Sequence, residues 1–199
     1  MTMEATQPMA PPPGYPLRYD VQYPEELSRW LIFVKWLLAI PHFIILYVLG
    51  AVVSIVTFIA FFAILFTKRY PKGLFDLVVN VNRWNANVLA YYGLFRDEYP
   101  PFSWEAGQYP VTYEVDYPEE LSRWLIFVKW LLAIPHIIVL SLLFIVASIA
   151  WLIAWFAILF TQRFPRGLFD FIIGVLRWNY RVSAYIYLLR DDYPPFSLK

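Results

Sequence analysis

The sequence contains no cysteine among its 199 residues. This absence excludes disulfide bonds, thiolate catalysis and cysteine-ligated zinc or iron–sulfur centres. Charged residues are also scarce, since they make up 16% of the chain and nearly cancel to a net charge of +1. Because there is no basic excess to neutralise phosphates, we expect no nucleic-acid partner.

Motifs that would carry enzymatic chemistry are missing as well. The chain has no glycine-rich phosphate loop, no HExxH or GxSxG motif and no EF-hand loop. No pair of carboxylates is placed for acid–base catalysis. The sequence therefore predicts a protein that is not an enzyme.

Hydrophobic residues dominate what is present. They account for 60% of the chain, and aromatic residues for 21%, whereas soluble domains are roughly 45–50% apolar. A soluble protein of this length has too little interior to bury so much apolar surface. The composition therefore predicts a membrane protein.

The sequence is a tandem repeat. Residues 23–42 return unchanged as 117–136, at an offset of 94, and 57 of the 85 aligned positions between 19–103 and 113–197 are identical. This pattern divides the chain into four parts. They are a proline-rich N-terminal segment predicted to be disordered (1–18), a first module (19–103), a linker (104–112) and a second module (113–199).

Each module contains a long apolar run, 27–66 in the first and 121–160 in the second. Because a spanning helix needs roughly 20 residues, we predict a transmembrane hairpin in each run. The predicted helices are 25–47 and 50–67, then 119–141 and 144–161, with the first turn near Gly50. The alternative is an interfacial helix over 25–40, bent at Pro41 and followed by a single span over 43–66.

A third helix is predicted over 74–95 and again over 168–189, and short extended stretches over 19–22 and 113–116 open the modules. The third helix is apolar on one side, whereas Asp76, Asn80, Arg83 and Asn87 share the other. Because a mid-span arginine costs several kcal/mol, we predict an amphipathic helix in the interface plane. It would span instead if its polar side lined a bundle interior.

The predicted fold class is an all-α membrane protein of two tandem parallel modules. Each module is a transmembrane helical hairpin plus an amphipathic interfacial helix. Two crossings per module is an even number, so the modules have the same orientation and a pseudo-two-fold axis lies along the membrane normal.

Short basic turns over 67–73 and 161–167 predict the orientation, because the positive-inside rule makes them cytoplasmic. We therefore predict a multi-pass inner-membrane protein with N- and C-termini in the cytoplasm. Basic and tryptophan side chains in these turns and on the third helices are expected to bind anionic lipid headgroups. They are Lys68, Arg69, Lys72, Arg83, Trp84, Arg163, Arg166, Arg177, Trp178 and Arg181.

A second set, at the start of each module, is predicted to anchor the chain at the membrane interface. This set comprises Arg29, Trp30, Lys35, Trp36, Arg123, Trp124, Lys129 and Trp130. Lys35 and Lys129 interrupt an apolar face, and we expect them to snorkel to the headgroups. The alternative interpretation is a functional charge inside the membrane.

The only two histidines, His42 and His136, occupy equivalent positions after a proline. Under the predicted symmetry they could face each other and ligate a haem iron or a bacteriochlorophyll magnesium. The alternative is that Pro-His marks a helix bend, with the ring bonded to a freed carbonyl. No cofactor is predicted beyond that possibility.

Four motifs together resemble the bacterial membrane family DUF4389. They are Ala39-Ile40-Pro41-His42, the basic turn over 67–73, Arg83-Trp84-Asn85 and Tyr99-Pro100-Pro101-Phe102, and the resemblance covers both modules. It implies a small integral membrane protein, in single or tandem copies, with no assigned activity or ligand.

These observations predict a non-enzymatic membrane scaffold or assembly subunit that binds membrane lipids. We expect it to form a homo-oligomer or to pack against partner subunits of a larger membrane assembly. One alternative is a haem- or bacteriochlorophyll-binding subunit that uses both histidines. A second is a small transporter, which the scarcity of polar groups in the apolar runs disfavours.

Overall fold

The computed structural model describes residues 15–199. Most of the segment predicted to be disordered, 1–18, lies outside the described residues, but its last residues are ordered in a strand. The elements are β1 Leu17–Val21, α1 Lys35–Leu38, α2 Ile40–Thr67, α3 Lys72–Tyr92, β2 Val111–Val115, α4 Lys129–Thr161 and α5 Arg166–Ile186. Single 3-10 turns, Leu31–Phe33 and Leu125–Phe127, precede α1 and α4.

Each module contains one long apolar helix, so the prediction of a hairpin is wrong. α2 continues through Gly50, and α4 through the positions predicted as a turn, because neither run contains a proline or a polar cluster that would end a helix there. Pro41 lies in the first turn of α2, where a missing N–H leaves no helical bond unmade. The alternative of a single long helix after Pro41 is the one observed, although a short helix and a 3-10 turn precede it.

α2 and α4 end at left-handed residues, Lys68 and Gln162, both with φ of 59°. Among the described residues these two helices are long and apolar enough to cross a membrane. Only 22% of the apolar window of each is buried. Helices in the core of a soluble protein would be mostly buried, so α2 and α4 are outer helices.

α3 and α5 form an inner layer. Their bounds lie within about a turn of those predicted. α3 packs between α2 and β2, and α5 between α4 and β1. The polar side of α3, which was predicted to face water and headgroups, contacts the sheet through Arg83. The protein has three layers: the sheet, then α3 and α5, then α2 and α4.

The two strands pair across the modules, which the all-α prediction lacked. β1 and β2 are antiparallel, with Tyr19 opposite Tyr113. These tyrosines are repeat equivalents, so a pseudo-two-fold axis passes between them. Tyr180 fills the space at this axis, with its ring centroid 4.7 Å from Tyr19 and 5.1 Å from Tyr113.

Each module docks its N-terminal stretch on the other module. The N–H of Leu27 donates to the carbonyl of Gln162 at 2.7 Å, and the N–H of Leu121 donates to the carbonyl of Lys68 at 2.8 Å. Because both acceptors are left-handed residues at helix ends, their carbonyls are free of helical bonds and point to the other module. The two modules therefore interlock.

The docked N-terminal stretches show that the two modules, and with them α2 and α4, are antiparallel. Ser28, next to the residue that meets Gln162, donates its N–H to Asp97, and Asp97 pairs with Lys35 at the start of α1. The start of one apolar helix thus lies beside the end of the other. The prediction of parallel modules is wrong because it depended on two crossings per module, whereas each module has one long apolar helix.

Candidate functional site

Several basic side chains predicted to bind lipid headgroups instead form hydrogen bonds or ion pairs within the protein. Nε of Arg83 donates to the carbonyl of Tyr113 at 3.1 Å, and Nε of Arg177 donates to the carbonyl of Tyr19 at 2.8 Å. Arg177 also forms an ion pair with Asp20 at 3.1 Å. These two arginines hold the strand of the opposite module against the inner helices.

Other members of the predicted set are paired on their own helix or are buried. Lys72 pairs with Asp76, and Arg166 with Asp170, one helical turn away in each case. Trp84, Trp178 and Arg181 are buried, at 6%, 4% and 2% exposure. Burial leaves these last three no surface for a headgroup.

Five arginine side chains have no hydrogen-bond or ion-pair partner among residues 15–199. One of them, Arg181, is buried against the ring of Tyr15, and the other four lie at the surface or only partly below it. These four are Arg29, Arg69, Arg123 and Arg163. The backbone bonds of Lys68 and Gln162 join the segments that carry them, so that the segment of Arg69 meets that of Arg123 and the segment of Arg163 meets that of Arg29. Each of these places combines a member of the predicted headgroup set with a member of the predicted anchor set.

We call these places the first and second junction. The first comprises Lys68, Arg69, Arg123 and Trp124, and the second comprises Gln162, Arg163, Arg29 and Trp30. The first junction encloses a shallow cavity of about 360 Å³, lined by residues 120–124 and Lys68. Lys68 approaches Glu120 at 3.9 Å, and both side chains are about half exposed or more, so this ion pair is weak.

Exposed tryptophans lie at the junctions and near the start of each apolar helix. Trp30 and Trp124 are each 75% exposed, and Trp36 and Trp130 are exposed to a similar degree. Amphipathic indole rings favour the headgroup level of a bilayer. The tryptophans of the predicted anchor set thus have the exposure that anchoring requires.

The two lysines of the predicted anchor set, unlike its tryptophans, are buried. Lys35 is 1% exposed, and its Nζ lies 2.7 Å from Oδ1 of Asp97 and donates to the carbonyl of Arg96 at 2.8 Å. Lys129 repeats these contacts with Asp191 and Arg190. The structure therefore places neither lysine at a headgroup, because an internal carboxylate already neutralises it.

The buried ion pair belongs to a latch that joins the end of each module to its beginning. Oδ2 of Asp97 accepts the N–H of Ser28 at 2.5 Å. The hydroxyl of Tyr99 donates to the carbonyl of Leu38 at 3.2 Å, just before α2. The Tyr-Pro-Pro-Phe tail is thus fixed against the start of the apolar helix, and the second module repeats the arrangement.

Sequence reasoning missed Asp97 and Asp191 as partners of the lysines. The available signal was the identical Arg-Asp pair before both Tyr-Pro-Pro-Phe tails. A lysine in an apolar run needs either the interface or a buried counter-ion. Sequence spacing could not choose between them, because 61 residues separate Lys35 from Arg96.

The two histidines lie in separate aromatic boxes. Nδ1 of His42 accepts a hydrogen bond from the indole of Trp84 at 3.1 Å, and its ring stacks on Phe102 with centroids 4.0 Å apart. His136 makes the same contacts with Trp178 and Phe196 in its own module. The structure thus gives each histidine its own box instead of bringing the pair together as facing ligands.

A family model described as "Domain of unknown function (DUF4389)" matches residues 29–103 and, a second time, residues 123–197. The matched ranges run from the junction arginine of each module to the end of its latch. No curated protein and no solved structure matches the chain.

Proposed function

The chain belongs to the DUF4389 family of unknown function, and we propose that it is a non-enzymatic membrane scaffold that binds lipid. The observation that carries this proposal is the outer surface of α2 and α4. Each buries one stripe of side chains and exposes isoleucine, valine, leucine and phenylalanine on its remaining faces. Lipid chains are the surroundings that such a surface requires.

The junctions supply the headgroup contacts in this proposal. Phe66 and Phe160, at the ends of the apolar helices, are 75% and 74% exposed. Arg69 and Arg163, which have no side-chain partner among the described residues, come three residues later. Apolar rings beside free cations match the boundary between acyl chains and anionic headgroups. We place the protein at the bacterial inner membrane with both termini in the cytoplasm, because anionic lipid and basic residues meet on that side.

Extraction of membranes with alkaline carbonate tests the membrane assignment. We expect the full-length chain to stay in the pellet and to be released only by detergent. Release into the carbonate supernatant would contradict the proposal.

Native mass spectrometry tests the headgroup contacts. Protein in mild detergent is incubated with dioleoylphosphatidylglycerol or dioleoylphosphatidylcholine, and the bound lipid is counted. Each phosphate contact is worth about five-fold in affinity, so Arg69→Gln with Arg123→Gln should lower phosphatidylglycerol binding well over five-fold. Lys72→Gln, which removes an internally paired charge, is the matched control and should change binding less than two-fold.

Association with other subunits is the remaining part of the proposal. The exposed faces of α2 and α4 could contact a second copy or a membrane partner as well as lipid. Crosslinking in native membranes tests this, and a pattern of uncrosslinked monomers alone would remove association from the proposed function.

A further inference from the structure

The orientation of α2 and α4 in the membrane follows from the symmetry of the fold. Because the modules are antiparallel, the pseudo-two-fold axis is perpendicular to both apolar helices. The axis passes between Tyr19 and Tyr113 of the sheet and continues through the inner helices to α2 and α4. The sheet is therefore level with the middle of the apolar helices, on the side away from their exposed faces.

The sheet carries charged groups that need water. Arg18 forms ion pairs with Glu114 at 3.2 Å and Asp116 at 3.1 Å, and these side chains are 43%, 48% and 57% exposed. Asp20, on the same sheet, is 42% exposed. If α2 and α4 crossed the bilayer, these charges would lie near its midplane, where each costs several kcal/mol.

The junctions give a second, independent argument. In a crossing arrangement the antiparallel modules would place the first junction on one side of the membrane and the second on the other. The positive-inside rule disfavours that division, because both turns are basic. Helices lying in the membrane plane keep both junctions at one depth and on one side.

We infer that the protein occupies a single leaflet, with α2 and α4 in the membrane plane, the pseudo-two-fold axis along the normal and the sheet in water. This inference rests on the proposed membrane function and replaces the multi-pass arrangement predicted from the sequence. The surface that meets the lipid is formed by exposed side chains along the full length of α2, such as Ile44, Phe58 and Phe66, and by their counterparts on α4. The partner of this surface is one leaflet of a bilayer.

Single-cysteine labelling tests the inference, and the chain provides a cysteine-free background. Glu98→Cys reports on the start of α2, Arg69→Cys on its end and Glu114→Cys on the sheet. The first two positions are separated by the length of α2, about 42 Å for 28 residues. Each variant is treated with a membrane-impermeant maleimide in right-side-out and in inverted membrane vesicles.

We expect all three cysteines to react in inverted vesicles and to be protected in right-side-out vesicles. Phe58→Cys, on the lipid-facing surface, should react in neither until detergent is added. Labelling of positions 98 and 69 from opposite sides, or a sheet cysteine protected in both preparations, would overturn the inference.

Asp192→Cys and Arg163→Cys are the repeat equivalents and guard against a variant that misfolds. They should give the same pattern as their counterparts. Carbonate extraction of each variant separates the two proposals, because a chain that resists carbonate but labels from both sides fails only the single-leaflet inference. A chain released by carbonate fails the membrane assignment itself.

Discussion

The two modules are identical where the latch is built and different where they meet at the axis. Residues 23–42 and 117–136 have the same sequence, and their lysine, histidine and serine contacts are repeated almost to the tenth of an ångström. At the axis, by contrast, Ala86 corresponds to Tyr180. An axis has room for one ring, so a symmetric pair of tyrosines would collide there. The two copies of the latch have therefore kept the same residues, whereas position 86 and its equivalent, position 180, differ because only one ring fits at the axis.

Removing the Tyr180 ring at the axis should cause the largest loss of stability. Tyr180 is 5% exposed and packs between Tyr19 and Tyr113. Tyr180→Ala would leave a cavity at the axis and should lower the free energy of unfolding by about 4 kcal/mol. Equilibrium unfolding in detergent measures this. Tyr180→Phe keeps the ring and loses only a 3.3 Å contact with Asn85, so a loss as large as that of the alanine variant would refute the packing explanation.

The latch should respond equally in both modules. Asp97→Ala leaves the buried ammonium of Lys35 without its carboxylate and should cost about 3 kcal/mol. Asp191→Ala should cost the same, since Lys129 is buried alike. Adding Lys35→Met to Asp97→Ala should recover most of the loss, as measured by the same unfolding assay. If the double variant is no more stable than the single one, an unpaired buried charge is not the cause.

The smallest effect concerns Tyr70, whose counterpart is Phe164. The hydroxyl of Tyr70 is buried close to that of Thr57, and neither hydroxyl makes a hydrogen bond of normal geometry among the described residues. Tyr70→Phe should therefore stabilise the protein by about 1 kcal/mol. Phe164→Tyr is the reverse control and should destabilise it by a similar amount.

The stability difference between Tyr70→Phe and the wild-type chain should grow at high pH. Burial raises the pKa of Tyr70 to about 12, whereas an unfolded tyrosine titrates near 10. Below pH 10 this difference in pKa does not affect the free energy of unfolding. As the pH rises from 10 toward 12, the free energy of unfolding falls, because only the unfolded state releases the tyrosine proton in that window. Relative to Tyr70→Phe, the wild-type chain should lose about 1 kcal/mol more by pH 11, and unchanged relative stability would contradict this burial.

The sequence was sufficient for the repeat, the family, the apolar character of α2 and α4 and the bounds of α3 and α5. These depend on local periodicity and on signals such as the proline and glycine around Lys72. The hairpin prediction failed because length alone suggested two spans, whereas the apolar run has no residue that ends a helix between Pro41 and Lys68.

The sequence could not show that the N-terminal stretch of each module docks on the other module. Tyr23 and Tyr117 are the same residue in the same context, and so are Leu27 and Leu121. Contacts within a module and contacts between modules therefore satisfy the same pattern equally well. The sequence also does not show which predicted headgroup ligands bond inside the protein. Arg83 donates to a strand carbonyl, whereas Arg69 has no side-chain acceptor among the described residues.

The interlocked N-terminal stretches have a consequence for assembly. A chain with one such module would reach its partner surfaces only by meeting a second copy, so its folding would depend on its concentration in the membrane. Here the short connection between α3 and β2 makes that encounter intramolecular, at an effective concentration on the order of millimolar. The fused chain is a tethered dimer, and the docking of its halves does not depend on the concentration of the chain. Its two halves can then acquire separate substitutions, as Lys68 and Gln162 already show at the two junctions.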